Sequence, residues 1–301
     1  VASDAGRAAG LAAFVAVGLA LGWVATQRER GSDRPSAAPV AELVGRAAQT
    51  ADRGLAQALG VSELDEARLG DAFAAHAPWI EAAGSDQDYV RAVLADVATA
   101  AHKGFSYRGY LVRDPTPNAH AMAGGIVLVT TGLLAILDRE DALACVLAHE
   151  VGHVELSHGL DAAKYEIAAA RLGAKPLGEV ATVVHGALLR RTFSLAAEAE
   201  ADRYAVERMM ASRWDPGGCA AAFRSLGAAS SGDGQTSLLR EYLSSHPPVA
   251  QREARARAAA EAWWADHPGE ARWRGLSAFR ARRAVAAGPV DGEEPVQGGA
   301  P

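Results

Sequence analysis

The chain has 301 residues, 50% of them hydrophobic, and a formal net charge of −6. That is enough apolar material for one main domain with an N-terminal extra, and the acidic balance gives no reason to expect a nucleic-acid partner. No Gly-rich phosphate loop and no internal repeat of roughly 20 to 50 residues occurs, which disfavours nucleotide chemistry and solenoid architectures.

The segment from Ala8 to Gln27 carries no charge and includes Leu11, Phe14, Val15, Val17, Leu19, Leu21, Trp23 and Val24. As a helix it would span about 30 Å, the thickness of the hydrocarbon core. Trp23 near its end suits a membrane interface. A cleaved signal peptide is the rival reading, but the apolar run is long for one and no good small-x-small site follows, so an uncleaved single-pass anchor is expected. Arg28, Arg30 and Arg34 follow the segment and only Arg7 precedes it, which on the positive-inside rule favours a cytoplasmic domain.

Gly31 to Pro39 is rich in Ser, Pro and Arg and reads as a tether. From Val40 to about Ala101 the apolar pattern is helical, with Ala41, Leu43 and Val44 and later Tyr89, Val93, Leu94 and Val97 on apolar faces; Trp79 and Trp214 are bulky core candidates. Around Ala119 to Val129 the sequence alternates imperfectly but is β-branched at its end, which predicts a strand bordered by the pair Gly124-Gly125.

Asp141 to Ala148 is a run of good helix formers leading into His149-Glu150-Val151-Gly152-His153. On a helix, side chains at i and i+4 share a face, so both imidazoles can reach one metal ion while Glu150 faces its water. The spacing points to a metal-dependent hydrolase. Two core histidines on an amphipathic helix would leave the same trace in the sequence.

A catalytic zinc takes three protein ligands and keeps a position for water. An extended form of the motif needs Gly at 156 and His at 159, whereas this chain has Leu156 and Gly159 with the nearest imidazole at His158. His158 reads as a structural residue on the continuation of the same helix. The other solution is a glutamate from a second helix, and the Ala-rich stretch Glu198-Ala199-Glu200-Ala201-Asp202 offers one. Glu198 and Asp202 share a face at i and i+4: the first would bind metal and the second would accept a hydrogen bond from a ligand imidazole and fix its tautomer. Glu200 points away, towards solvent. An ordinary acidic helix surface would have the same composition.

Cys145 and Cys219 read as small buried residues rather than a disulfide framework. His246, on a Pro-bounded loop in Ser245-His246-Pro247-Pro248, could take the open metal position as a latch or simply anchor its loop. Arg252, Arg255 and Arg257 suggest a solvated helix face. Trp263, Trp264 and Trp273 suit a small packing extension or a contact to membrane or partner. Gly288 to Pro301, rich in Gly, Pro and acid, is expected to be disordered.

Four blocks in one order resemble the membrane-associated zinc metallopeptidases that include HtpX-type heat-shock proteases, CAAX prenyl proteases and their periplasmic and mitochondrial quality-control relatives. They are Asn118 to Leu134, His149 to His153, Glu198 to Asp202, and Ser245 to Pro248 with Arg252. The match covers about residues 40 to 260. The chain departs from the family pattern at Leu195, where Arg is frequent, at His120, where an aromatic is frequent, and at Ala123, where Pro is frequent; none of these is a metal ligand. The resemblance implies one Zn2+ per chain on His149, His153 and Glu198, Glu150 as general base and acid, and Asp202 supporting a ligand imidazole.

It also implies a mainly α fold with a small β-sheet (α+β), of zincin type, with an active-site helix, an edge strand beside the cleft and the N-terminal transmembrane helix. Asn118, Ala119, His120, Ala121, Gly124 and Gly125 would form the substrate strand, where extended peptides add through main-chain hydrogen bonds. The expected activity is endoproteolysis of unfolded, misfolded or membrane-associated proteins. A self-latched or catalytically silent zinc-bound chaperone or scaffold is the alternative, which the presence of Glu150 disfavours. Prenylated peptides are a weaker third substrate class, since multiple spans are missing. The expected organisation is an anchor at 1–27, a linker at 28–39, a peptidase domain at 40–262, a helical extension at 263–287 and the tail at 288–301. Single-anchor relatives lean towards a periplasmic catalytic domain, against the arginine pattern.

Overall fold

The structure, a computed structural model, describes residues 62–76, 84–159, 193–230 and 249–276, together with Glu179, Phe279 and Val296–Gln297. The apolar segment 8–27, Trp79 and His246 lie outside these residues. Among the described residues no helix is long and apolar enough to cross a membrane.

The elements in order are α1 (Glu63–His76), α2 (Ser85–Val97), β1 (Arg108–Val112), β2 (Ala119–Met122), β3 (Ile126–Thr130), α3 (Thr131–Ile136), α4 (Glu140–Glu155), α5 (Leu195–Met210), α6 (Gly218–Ser230), α7 (Val249–Asp266), β4 (Ala271–Arg272) and β5 (Val296–Gln297). The fold is mainly helical, with a three-stranded mixed sheet ordered β1-β3-β2. β1 runs parallel to β3, and β2 runs antiparallel to it, Ala119 opposite Val129 and Met122 opposite Ile126.

The single strand expected across 119–129 is therefore a hairpin. A short 3₁₀ turn at Ala123–Gly125 divides it, and Gly124 there has φ of 71°, where a Cβ would stand 2.8 Å from the Glu66 carbonyl oxygen and 3.0 Å from the Gly70 Cα of α1. Only glycine adopts that backbone and tolerates that approach without cost. Among the described residues β2 occupies one end of the sheet order, as expected of an edge strand.

α4 is the centre of the molecule. Residues Glu140 to Val154 are all buried, and the helix packs against α2, α5, α6 and β2. Its apolar side chains, with Trp214, Met209 and Leu226, make the core. The Arg274 carbonyl accepts from the backbone N–H groups of Glu140 and Asp141 at 3.1 and 3.3 Å, satisfying two donors of the first turn. The Trp273 indole donates to Glu140, and Trp214 and Trp273 form a parallel bridge. Residues 273–274 thus hold down the start of the motif helix. Val296 and Gln297, in the tail expected to be disordered, pair with Arg272 and Ala271, because an open main-chain edge accepts a strand of any composition.

Cys145 and Cys219 form a disulfide, contrary to the expectation of two separate buried thiols. Cys145 lies on the α6-facing side of α4 and Cys219 in the first turn of α6, with Cα atoms 5.1 Å apart, inside the span a disulfide bridges. Their separation of 74 residues concealed the pairing.

Candidate metal centre

Two helices carry the site. α4 presents His149 and His153 one turn apart, and α5 begins at Ser194, whose side chain accepts from the Ala197 N–H at 3.1 Å and fixes the helix start one turn before Glu198. Phe193, just ahead of that cap, stacks on the His153 ring with centroids 4.0 Å apart. Close passage of the two helices is allowed by Gly152, where a Cβ would stand 3.1 Å from the Tyr204 ring.

The Nε2 atoms of His149 and His153 are 3.0 Å apart. Glu198 Oε1 lies 3.3 Å from His153 Nε2, and Oε2 lies 3.6 Å from His149 Nε2. The three side chains are buried, and their donor atoms all lie within 4.8 Å of one another. Donors bound at about 2.0–2.2 Å around a tetrahedral ion are themselves roughly 3.3–3.6 Å apart, and two imidazoles with one carboxylate form a donor set that zinc accepts. The residues fit a zinc ion. Glu150 follows His149 on the same helix and is 1% exposed.

Asp202 stands where helical spacing put it, with Oδ1 3.0 Å from His149 Nδ1. Burial alone would push its carboxyl up, but the hydrogen bond to His149 and the charge of Arg252 hold it down at about 2. At His149 burial opposes the charged ring, and the Asp202 hydrogen bond with the nearby carboxylates outweighs it, so the metal-free imidazole sits above its ordinary pKa.

Arg252 is not on a solvated face. It is 4% exposed, with Nη1 3.1 Å from Glu198 Oε2, and its guanidinium lies 4.5 Å from the Phe223 ring centroid. Arg255 and Arg257 are exposed as expected. The signal was available: Arg252, Ala256 and Ala260 recur at i, i+4 and i+8, and all three are buried.

Glu200 and His158 also differ from expectation. Helix α4 stops at Glu155, and Ser157 takes a φ of 59°, which turns the chain back on itself. His158 is consequently buried beneath His153, with the two Nδ1 atoms 2.9 Å apart. Glu200, half-buried rather than facing solvent, places Oε2 3.2 Å from His158 Nε2. Behind this turn, Lys103 Nζ donates to the Val154 carbonyl at 2.7 Å and to Glu66 at 2.9 Å, closing the helix end.

Of the strand residues, Asn118, Ala119, Gly124 and Gly125 are buried, while His120 and Ala121 are partly open. Asn118 works within the hairpin: its N–H donates to Thr130 Oγ1 at 2.8 Å, and its Oδ1 accepts from the Ala119 N–H at 2.9 Å. Ala121 and Ala123 at the end of β2 line a small recess together with Glu66, His153 and Phe193.

A model of peptidase family M48 matches residues 85–260, more than half of the chain. The mitochondrial metalloendopeptidase OMA1 of Schizosaccharomyces pombe is 30% identical over 173 residues, covering 54% of this chain and 50% of that protein. Metalloprotease YcaL of Escherichia coli is 31% identical over 161 residues, covering 49% of this chain and 59% of its own. The protease HtpX homolog of Dictyoglomus thermophilum is 35% identical over 88 residues, covering 28% of this chain and 25% of its own. The chain spans about half the length of the first two of these relatives. With the matched region enclosing both helices of the site, the chain belongs to peptidase family M48.

Proposed function

We propose that this protein is a zinc metalloendopeptidase that cleaves extended segments of unfolded, misfolded or membrane-associated proteins. The observation that carries the reading is the buried cluster of His149, His153 and Glu198 with Glu150 on the same helix. His149, His153 and Glu198 would hold one zinc ion. When bound, the metal supplies Lewis acidity towards water and the scissile carbonyl. Glu150 takes a proton from the attacking water and delivers it to the leaving amine, so that no acyl-enzyme forms. Asp202 accepts from His149 Nδ1 and keeps its Nε2 lone pair directed at the site. Arg252 balances the carboxylates of Glu198 and Asp202.

β2, from Ala119 to Met122, is the docking edge. A substrate strand pairing there is recognised through its backbone, which gives broad sequence tolerance. His120 and Ala121 are the side chains of β2 that are partly open to such a strand.

The domain is read as anchored by residues 8–27 and facing an extracytoplasmic compartment. The Cys145–Cys219 disulfide supports an oxidising location, against the arginines that follow the anchor segment. Alkaline carbonate extraction tests the anchor: release of the full-length chain from membranes counts against it.

The activity is tested on casein with the zinc-loaded full chain. Glu150→Gln is expected to retain zinc and lose at least about 100-fold in rate, and chelation to abolish cleavage. Cleavage that survives both treatments refutes the reading. A wild-type chain that binds one zinc and extended polypeptides without cleaving them supports the scaffold alternative instead.

A further inference from the structure

Each ring at the candidate site has one nitrogen turned towards the cluster and one turned away. For His149 the outward Nδ1 meets Asp202 directly. For His153 the outward Nδ1 meets a second imidazole, that of His158, and beyond it a carboxylate, that of Glu200. We propose that His158 and Glu200 form a relay that fixes the tautomer and orientation of His153, and that both are positioning residues for metal binding. The proposal rests on the metal site read above.

For neutral rings with a metal on His153 Nε2, the geometry leaves one arrangement of protons. A ring that offers Nε2 as a lone pair to a metal carries its proton on Nδ1. That N–H points at His158 Nδ1 across 2.9 Å, so His158 must present a lone pair there and carry its own proton on Nε2. A proton on both facing nitrogens would set two N–H dipoles head to head. The His158 Nε2–H in turn needs an acceptor, and Glu200 Oε2 lies 3.2 Å away. Glu200 therefore selects the His158 tautomer, and His158 selects that of His153. With the carboxylate gone, His158 is free to carry its proton on Nδ1, which drives the His153 proton onto the nitrogen the metal needs.

One helix supplies all three carboxylates that meet the imidazoles. Glu198, Glu200 and Asp202 are alternate residues in the first turns of α5, and the Ser157 turn brings His158 far enough back to bridge the middle one to His153. The stacked Phe193 ring restrains the face of His153, and the relay restrains its edge.

The test is zinc affinity, measured by chelator competition on the full chain, with the visible spectrum of the cobalt-substituted protein and the melting temperature with and without zinc. Outer partners of metal-bound histidines are commonly worth about 10- to 100-fold in affinity. Glu200→Ala and His158→Phe are expected to weaken zinc by at least about 10-fold, alter the cobalt spectrum and reduce the zinc-induced rise in melting temperature. Glu200→Gln, whose amide oxygen still accepts from Nε2, is expected to fall between wild type and Glu200→Ala. A merely structural role predicts lower metal-free stability with unchanged affinity and spectrum, and that result overturns the relay. If Glu200→Ala fails to fold, His158→Phe decides on the same readouts. Glu198→Ala separates the two levels: if it loses zinc while the relay variants bind normally, the relay alone is wrong. If Glu198→Ala keeps full affinity, the metal site beneath the relay is wrong.

Discussion

Arg252 and Asp202 meet as a two-pronged pair, with Nη2 2.7 Å from Oδ1 and Nε 2.8 Å from Oδ2. Through its third nitrogen the same guanidinium reaches Glu198, so one cation balances two carboxylates that crowd the metal-free site. Removing one partner of a buried ion pair costs about 3–5 kcal/mol, because the remaining charge is left buried. Arg252→Met is expected to destabilise the metal-free protein by about 3 kcal/mol in urea unfolding. Arg252→Lys should restore little, since an ammonium cannot span both oxygens of Asp202. Wild-type stability in either variant counts against the charge-balancing role.

The depressed Asp202 carboxyl gives the metal-free protein an acid limb. Its folded-state pKa of about 2 lies below the unfolded value near 3.8. The unfolded chain therefore binds the proton first, and the stabilisation, present above pH about 4, is lost as pH falls towards 2. A shift of this size corresponds to about 2 kcal/mol. Asp202→Asn should flatten this part of the stability curve, measured by denaturant unfolding between pH 2 and 5. An unchanged slope would place the acid sensitivity elsewhere.

Gly152 sets the distance between α4 and α5. A Cβ there would lie 3.1 to 3.2 Å from three atoms of Tyr204, so the ring or its helix must give way by a few tenths of an ångström. Overpacking of this kind costs about 1–3 kcal/mol. Because Glu198 rides on the displaced helix, Gly152→Ala is expected to weaken zinc as well as lower stability, and the larger side chain of Gly152→Ser to do so further. Calorimetry with and without zinc distinguishes the two effects; an unchanged zinc-induced shift would mean that Tyr204 moves alone.

The Cys145–Cys219 bond ties α4 to α6 across 74 residues. Closing a loop of that length stabilises by about 4 kcal/mol on the chain-entropy account. Reduction, or Cys219→Ser, should lower the melting temperature accordingly and lower the yield of folded protein made in a reducing compartment. Identical melting in oxidised and reduced samples would refute the contribution.

How far the sequence foretold this arrangement depends on whether a contact lies within one helix or between elements. His149 with His153, and Glu198 with Asp202, are legible because the helical repeat alone puts each pair on one face. The edge strand was legible as extended chain, but not its division at Gly124, where a positive φ turns one expected strand into two. His158 was misjudged because extrapolating the helix points it away from His153; the left-handed Ser157 reverses that direction, and a serine gives no warning of it. Glu200 followed His158 into error, since its partner comes from a turn 42 residues earlier. The disulfide belongs to the same class, being set by how α4 and α6 approach one another; the burial of Arg252 was legible in its helical spacing, but not its carboxylate partners on α5.

The burial of α4 on every side has a consequence for how such a domain can diversify. Almost any replacement along Glu140 to Val154 disturbs the core and the chemistry together, because no face of that helix is spare. On the function proposed above, changes of substrate preference would fall to the partly open His120 and Ala121 of β2 rather than to the helix. The helix that carries the candidate metal ligands and the open side of the strand beside it are thus separately mutable, the first nearly frozen and the second open to drift.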